Sequence, residues 1–144
     1  MTLAQLLEWL ELPAEAMNGD RAMYLVDDRV MVQLALTADG EYLRLRSPVG
    51  HSLATGPSAL SFDLAIANYA GATTGGGALG LNPVNGEVLL YLEVPCALMD
   101  RHTLETVLGR FLEAALHWCD HLQASPAPVH SDAVDAPLQA WVRA

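Results

Sequence analysis

The first segment of the chain, TLAQLLEWLEL, repeats its leucines at the i, i+3, i+4, i+7 spacing of an amphipathic helix. Thr2 precedes the first leucine and is the predicted N-cap, because its hydroxyl can accept a hydrogen bond from the first turn. Pro13 ends the helix, since proline has no N–H to continue it. One face of this helix is therefore apolar, and it carries Leu3, Leu6, Leu7 and Leu10.

The next segment, AMYLVDDRVMVQLALTADGEYLRLR, alternates with the period of a β-strand and is interrupted by two pairs of turn residues. Two-residue turns at its Asp-Asp and Asp-Gly pairs would place Leu25 opposite Val30 and Leu34 opposite Leu45. These registers agree with each other, because both assign one apolar set to a single face. We therefore predict a three-stranded antiparallel meander whose core face consists of Met23, Leu25, Val30, Val32, Leu34, Leu36, Leu43 and Leu45.

A second helix and a second hairpin follow. The segment SALSFDLAIANYAG predicts a helix that is apolar over most of its circumference, which indicates burial on several sides, for example by a second copy of the chain. The segment ALGLNPVNGEVLLYLEV predicts a hairpin. A two-residue turn at its Asn-Gly pair would place Leu81 opposite Leu90 and would set Gly80 opposite Tyr91. Pro83 leaves a wider turn open as an alternative.

The segment DRHTLETVLGRFLEAALHWCDHL predicts the longest helix, with Asp100 as its N-cap. Residues 1–123 then form one domain, and the Ala- and Pro-rich residues 124–144 form a flexible tail. The element order is α-β-β-β-α-β-β-α, and hairpins join the strands. This order predicts an α+β fold in which three helices accompany a twisted antiparallel sheet of about five strands.

Composition and charge narrow the function classes. The net charge is −10, with 17 acidic residues against seven basic ones, so the surface repels nucleic acid and anionic membranes. Hydrophobic residues make up 52% of the chain, which indicates an apolar surface shared with a protein partner. The N-terminus lacks the features of a signal peptide, and no apolar run is long enough to span a bilayer, so we expect a cytoplasmic protein. Cys96 and Cys119 are expected to be free thiols.

The segment TTGGGALG contains the Gly-x-Gly-x-x-Gly pattern of dinucleotide-binding domains at Gly75, Gly77 and Gly80. That pattern binds a pyrophosphate only where a strand precedes it and a helix follows it. Here the predicted order is reversed, since a helix precedes the glycines and a hairpin follows. We therefore interpret the glycines as the exit from the second helix, where positive φ angles are needed.

The sequence gives only weak signals for a metal site or a catalytic nucleophile. His117 and His121 lie four residues apart on one helix face, but no third ligand accompanies them, so we predict no metal site. The serines and cysteines lack the neighbouring histidine and acid that a nucleophile needs. We therefore predict neither a cofactor nor an enzymatic activity.

Residues 58–122 resemble the class I chaperones of bacterial type III secretion, a Tir chaperone-like family. The resemblance rests on the apolar helix LSFDLAIANYAG, the hairpin LGLNPVNGEVLLYLEVP and a long helix of LxxxLxxFLxxAxxW form. The first helix and the meander match in order and length. The chain departs from the family in its Pro-rich tail and in Asn82, where Asp is commoner.

The resemblance implies a homodimer in the cytoplasm of a Gram-negative bacterium. Such a dimer binds the N-terminal chaperone-binding segment of one secreted effector in extended form, uses no ATP, and helps to present the segment to the secretion apparatus. The family's effector-binding surface, carried onto this chain, implies Leu6, Leu10, Tyr24, Met31, Gln33 and Tyr42. The family's dimer interface implies Leu60, Phe62, Leu64, Ile66, Tyr69, Leu89 and Tyr91.

Two other classes of function remain open from the sequence. The chain could be an interaction or regulatory module of the same fold without a secreted client. It could also be a small ligand-binding domain or enzyme that uses the glycine loop. A stable complex with an effector's N-terminal region would favour a chaperone over the first class, and thermal stabilisation by a nucleotide would favour the second class.

Overall fold

The structure is a computed structural model that describes residues 1–51, 57–71 and 73–123. Its helices and strands follow one another in the predicted order, with one additional short strand after the first helix. The elements are α1 (Leu3–Trp9), β1 (Met17–Asn18), β2 (Arg21–Val26), β3 (Val30–Leu36), β4 (Tyr42–His51), α2 (Pro57–Ala70), β5 (Ala78–Leu81), β6 (Glu87–Pro95) and α3 (Arg101–Gln123).

The six strands form one antiparallel sheet in the order β1-β2-β3-β4-β6-β5. This arrangement confirms the predicted α+β class and the three helices, and the sheet has one strand more than the five expected. The additional strand, β1, pairs with only the first two residues of β2. It has just two residues, too few for an alternating hydrophobic pattern to reveal it. The predicted tail, residues 124–144, lies outside the described residues.

The hydrophobic core lies between one face of the sheet and the helices. The 23-residue helix α3 crosses β3 and β4, and it buries Phe111 and Trp118 against the leucines and valines of those strands. The indole Nε1–H of Trp118 donates a hydrogen bond to the carbonyl of Thr73, at 3.0 Å. That bond ties α3 to the loop that follows α2, so the long helix positions both the sheet and the glycine segment.

Both predicted helix caps are confirmed. The hydroxyl of Thr2 accepts a hydrogen bond from the N–H of Gln5, at 3.2 Å. The carboxylate of Asp100 accepts a hydrogen bond from the N–H of Thr103, at 2.7 Å. Each cap satisfies a donor of the first helical turn that has no partner within its helix.

The predicted register of the first hairpin is wrong by one residue. Val26 lies opposite Val30 and Leu25 opposite Met31, because the loop holds three residues instead of two. Asp27 and Asp28 both adopt φ near +52°, a conformation that Asp tolerates better than most residues. A shift of one residue exchanges the two faces of β2. Its core face carries Ala22, Tyr24 and Val26, and the predicted core residues Met23 and Leu25 lie on the opposite face.

The second turn of the meander matches the prediction, and the hairpin of β5 and β6 has the wider of the two turns considered. The pairing of Leu34 with Leu45 is confirmed. The two-residue alternative for the last turn is wrong, because Leu81 pairs with Val88 and Gly80 with Leu89. The turn is the wider one, in which the N–H of Asn82 donates to the carbonyl of Glu87 at 2.8 Å. Tyr91 consequently lies opposite Ala78, and not opposite the glycine.

Two of the motif glycines permit close approaches of the backbone. Gly75 has φ +62°, and a Cβ there would lie 2.7 Å from the carbonyl oxygen of Arg110. A Cβ on Gly77 would lie 2.4 Å from the carbonyl oxygen of Tyr91. A strand, β5, and not a helix, follows these residues, as expected. Their role is to let the chain pass from α2 into the sheet against α3 and β6.

One buried carboxyl group makes the stability of the fold depend on pH. Glu87 is 2% exposed and its Oε1 has no hydrogen-bond partner within the described part of the chain. Burial raises the pKa of Glu87 to about 7, because the charged form loses its hydration. A carboxyl whose pKa is raised by folding favours the folded state at low pH. That contribution is lost as the pH rises through about 7.

We therefore expect the free energy of unfolding to fall between pH 5 and pH 8 by about 1–3 kcal/mol. Glu87→Gln should remove most of this fall, since the amide does not ionise. Urea denaturation at several pH values checks the prediction, with Glu8→Gln, an exposed position on α1, as the control. Parallel pH profiles for the unchanged chain and Glu87→Gln would contradict it.

Candidate polypeptide-binding surface

The sheet has a second face that points away from α3, which we call the outer sheet face. Side chains alternate along each strand, so this face carries the residues between the core positions. Although the chain is strongly acidic, this face carries three of its seven arginines. Its residues are Arg21, Met23, Leu25, Met31, Gln33, Ala35, Tyr42, Arg44, Arg46, Ala78, Gly80, Leu89, Tyr91 and Glu93.

Two of these arginines have acidic partners. Arg21 contacts Asp20 at 3.2 Å, and Arg44 contacts Glu93 at 3.2 Å. The Tyr91 hydroxyl also donates to Glu93. This hydrogen bond and the nearby Arg44 hold the pKa of Glu93 below its usual range. The Glu93 carboxylate is therefore already occupied by two neighbours of its own chain.

Arg46 differs from its neighbours, because no described acidic side chain pairs with it. Its guanidinium lies 5.6 Å from the centroid of the Tyr91 ring, and its Nε is buried without a hydrogen-bond partner. Burial, followed by repulsion from Arg44, lowers the pKa of Arg46. Gln33 lies directly opposite on β3, is 2% exposed, and also has an unpartnered oxygen, Oε1. A buried donor and a buried acceptor thus remain unsatisfied side by side.

Two depressions flank this pair on the outer sheet face. One has a volume of about 450 Å³ and includes Arg21, Gln33, Ala35, Arg44 and Arg46 in its lining. The other has a volume of about 360 Å³ and is lined by Arg44, Arg46, Ala78, Leu79, Gly80, Leu89 and Tyr91. Arg44 and Arg46 lie between them and contribute to both. The small residues at positions 35, 78 and 80 leave the space that larger side chains would fill.

One edge of the sheet is open to an additional strand. Among the described residues, none pairs with Met23–Val26 on the side opposite β3, since β1 pairs only with Arg21 and Ala22. The carbonyl of Met31 accepts a hydrogen bond from the Ser47 hydroxyl of β4, at 2.8 Å, and so points away from β2. Leu25 lies opposite Met31, so these two residues form a non-hydrogen-bonded pair of the antiparallel ladder. The N–H and C=O of Leu25 therefore point toward the open edge.

The opposite edge is closed by a side chain of α2. The carboxamide of Asn68 donates to the carbonyl of Leu79 at 2.9 Å and accepts from the N–H of Leu79 at 2.8 Å. It thereby occupies the backbone groups of β5 that point away from β6. A bound polypeptide strand would find free backbone groups on β2 but not at this position of β5.

The structure divides the residues predicted to bind an effector between the two sides of the sheet. Met31, Gln33 and Tyr42 share the outer sheet face. The others lie on the side of the helices. Leu6 is fully buried, Leu10 packs against the core, and burial of the Tyr24 hydroxyl raises its pKa to about 12.

The residues predicted for the dimer interface also separate into two groups. The structure buries Leu60, Leu64 and Leu89 within the single chain. Ile66 and Tyr69 instead project from α2, with 59% and 93% of their surface exposed. Tyr91 lies on the outer sheet face beside Arg46, and the side chain of Phe62 lies outside the description.

The candidate histidines and cysteines lie apart from the outer sheet face. No group of three or more potential metal ligands converges there, and the His117 and His121 rings lie side by side on α3 with centroids 6.4 Å apart. Burial raises the pKa of both Cys96 and Cys119, which opposes formation of a reactive thiolate. None of the helices in the described ranges combines the length and the apolar character that crossing a bilayer requires.

Sequence reasoning missed two features of this surface. The exposure of Leu25 depends on the register of the first hairpin, which was assigned incorrectly. The role of Asn68 depends on a contact between a helix and a strand edge, for which the sequence carries no signal.

Within the described residues, the fold is a small α+β module in which no further element covers the outer sheet face or pairs with the Met23–Val26 edge. The chain belongs to the Tir chaperone protein (CesT) family, whose model matches residues 2–119. This membership confirms the resemblance to type III secretion chaperones. The family consists of chaperones and not of enzymes, and the same holds for this chain.

Solved structures show the same fold. The chain is 26% identical to a chain of the ExsC–ExsE complex, with a TM-score of 0.67, covering 83% of this chain and 90% of that one. It is 20% identical to a chain of the HopA1–SchA chaperone–effector complex, with a TM-score of 0.63 and coverage of 82% and 90%. For the heterodimeric ExoU–SpcU complex from the Pseudomonas aeruginosa type III secretion system, the identity is 14%, the TM-score 0.64 and the coverage 87% and 100%. A search of curated protein sequences finds no significant match.

Proposed function

We propose that this chain is a homodimeric, ATP-independent chaperone of type III secretion in the cytoplasm of a Gram-negative bacterium. It binds the N-terminal chaperone-binding segment of one secreted effector in extended form and keeps that segment soluble and competent for export. The open edge of β2 carries the proposal, because it offers backbone groups to an extended polypeptide. Chaperone–effector complexes among the solved structures of the same fold support it.

The bound segment pairs with the Met23–Val26 edge as an additional antiparallel or parallel strand. Backbone hydrogen bonds give such pairing affinity with little dependence on sequence, and side-chain pockets supply the selectivity. Leu25, which is 51% exposed, lies beside this edge on the outer sheet face. Tyr24, on the helix side of β2, receives side chains of the segment that point the other way, and Leu10, which packs against the same core, adds to the apolar contact.

The dimer forms through the exposed side of α2. Only one of the fourteen residues of this helix, Asp63, is charged, and its exposed residues include Ile66 and Tyr69. Two copies of a chain with net charge −10 repel each other across most surfaces. An exposed, nearly uncharged and apolar helix face is therefore the favoured contact between two copies.

Binding needs no nucleotide, because burial of apolar side chains and strand pairing supply the favourable free energy. Ordering a flexible segment costs part of that gain, so the affinity stays reversible enough for release. The chain has no lysine, and a Cβ on Gly75 or Gly77 would clash with the backbone of α3 or β6, so packing accounts for these two glycines. The loaded complex presents its segment to the secretion apparatus.

Co-expression tests the proposal. The N-terminal region of the protein encoded by the adjoining gene should be insoluble alone and soluble when produced with this chain, and the two should co-purify. Its C-terminal region serves as the control and should not co-purify. If neither region binds, the chain is an interaction module without a secreted client. Thermal stabilisation by a nucleotide would instead support a ligand-binding domain.

A further inference from the structure

We propose that Arg46 and Gln33 form a receptor for one acidic side chain of the bound polypeptide. The inference rests on the proposed function, since the acid belongs to the effector segment. The site carries two independent observations: a guanidinium with no described acidic partner, and a neighbouring side chain that is 2% exposed with an unpartnered oxygen. Buried polar groups in folded proteins nearly always have a hydrogen-bond partner, so this pair of groups requires an explanation, and a ligand supplies one.

The two groups match a polypeptide better than a free anion. The Nε–H of Arg46 is a donor and suits a carboxylate, which accepts two parallel hydrogen bonds from a guanidinium. The Oε1 of Gln33 is an acceptor and needs a donor, such as a backbone N–H. An aspartate or glutamate within a polypeptide presents both groups close together. An anion without an N–H or O–H group, such as chloride or sulfate, would leave the acceptor of Gln33 unsatisfied.

Charge favours an acid at this position and nowhere else on the outer sheet face. Arg21 and Arg44 already contact acids of the chain, and Glu93 is held by two neighbours. Arg46 forms no ion pair with a described residue, and repulsion from Arg44 outweighs the weaker attraction of Glu93. One carboxylate from the bound polypeptide would form the ion pair that Arg46 lacks. A polyanion such as nucleic acid would meet the repulsion of a chain with net charge −10.

The position of Arg46 indicates which part of the polypeptide supplies the acid. Met23, Gln33 and Arg46 occupy one row across β2, β3 and β4. Neighbouring strands lie about 4.8 Å apart, so a strand added beyond β2 is about 14 Å from β4. A carboxylate on that strand cannot span the distance. The acid therefore comes from a part of the segment that crosses the outer sheet face, over the depression of about 450 Å³ whose lining includes Ala35.

The test uses the complete chain and the N-terminal region of the protein encoded by the adjoining gene. Arg46→Gln should weaken binding of this region by about 10-fold or more, as expected for a lost charged hydrogen bond. Arg46→Lys should recover part of the loss, because lysine restores the charge but not the paired geometry. Arg110→Gln, an exposed position on α3, makes the same change in net charge and should leave the affinity unchanged.

The acid is then located by replacing each Asp and Glu of the region with Asn or Gln. One replacement should weaken binding to the unchanged chain but cause no further loss with Arg46→Gln. If the region binds both Arg46→Gln and the unchanged chain equally well, this inference is overturned and the proposed function stands. Equal losses for Arg46→Gln and Arg110→Gln also overturn it, since they show a general charge effect. If the unchanged chain does not bind, both proposals fail.

Discussion

Replacement of Ile66 by arginine is expected to separate the dimer into folded monomers. Ile66 is 59% exposed in the single chain, so an arginine there leaves the monomer's core intact. In the proposed dimer the same side chain lies at an apolar contact, where an unpaired charge loses its hydration. Symmetry introduces the charge twice. The dissociation constant should therefore rise by at least about 100-fold, which sedimentation equilibrium measures directly.

The choice of position is decisive for this test. Leu64 was also predicted to lie in the interface, but it is 7% exposed and belongs to the core, so an arginine there would unfold the chain and reveal nothing about association. Thr106→Arg, on the exposed side of α3, provides a control with the same added charge. A dimer that survives Ile66→Arg, or an unchanged chain that sediments as a monomer, would contradict the proposed interface.

Replacement of Leu25 by proline should remove strand addition at the open edge of β2. The N–H of Leu25 points away from β3, so proline deletes a donor that no strand among the described residues uses. An added strand loses one backbone hydrogen bond and meets the proline ring. We expect binding of the effector's N-terminal region to weaken by about 10-fold to 100-fold, measured by titration calorimetry.

Leu25→Thr is the matched control, because it keeps the N–H and removes most of the apolar side chain. If the edge acts through its backbone, Leu25→Thr should bind much more tightly than Leu25→Pro. Amide hydrogen exchange on the unchanged chain gives a second measurement that does not depend on the proline variant folding. The Leu25 amide should exchange quickly when free and slowly in the complex. Equal exchange rates in both states would contradict strand addition at β2.

The helices and the later strands could be predicted because each carries one dominant pattern. Thr2 and Asp100 have the side chains that cap a helix, and both do so. The pairing of Leu34 with Leu45 follows from strands whose leucines and valines lie on one face only. In such strands a shifted register would expose the core, so the pattern specifies the register.

The first hairpin could not be predicted because β2 is apolar on both faces. Ala22 and Val26 on one face, and Met23 and Leu25 on the other, are equally suited to the core, so the length of the loop decides between them. Nothing in the sequence fixes that length. The identity of the exposed face, and with it the open edge, follows from this single choice. Arg46 and Gln33 likewise become a pair only through the register of β3 with β4.

The stoichiometry of the complex tests the central claim most directly. Native mass spectrometry of the co-purified complex should give the mass of two chains of 15.4 kDa each plus one effector segment. This result requires both the contact between two copies and a surface that accepts one polypeptide per dimer. A complex of one chain with one segment would contradict the dimer. A dimer that retains no segment would contradict the chaperone function.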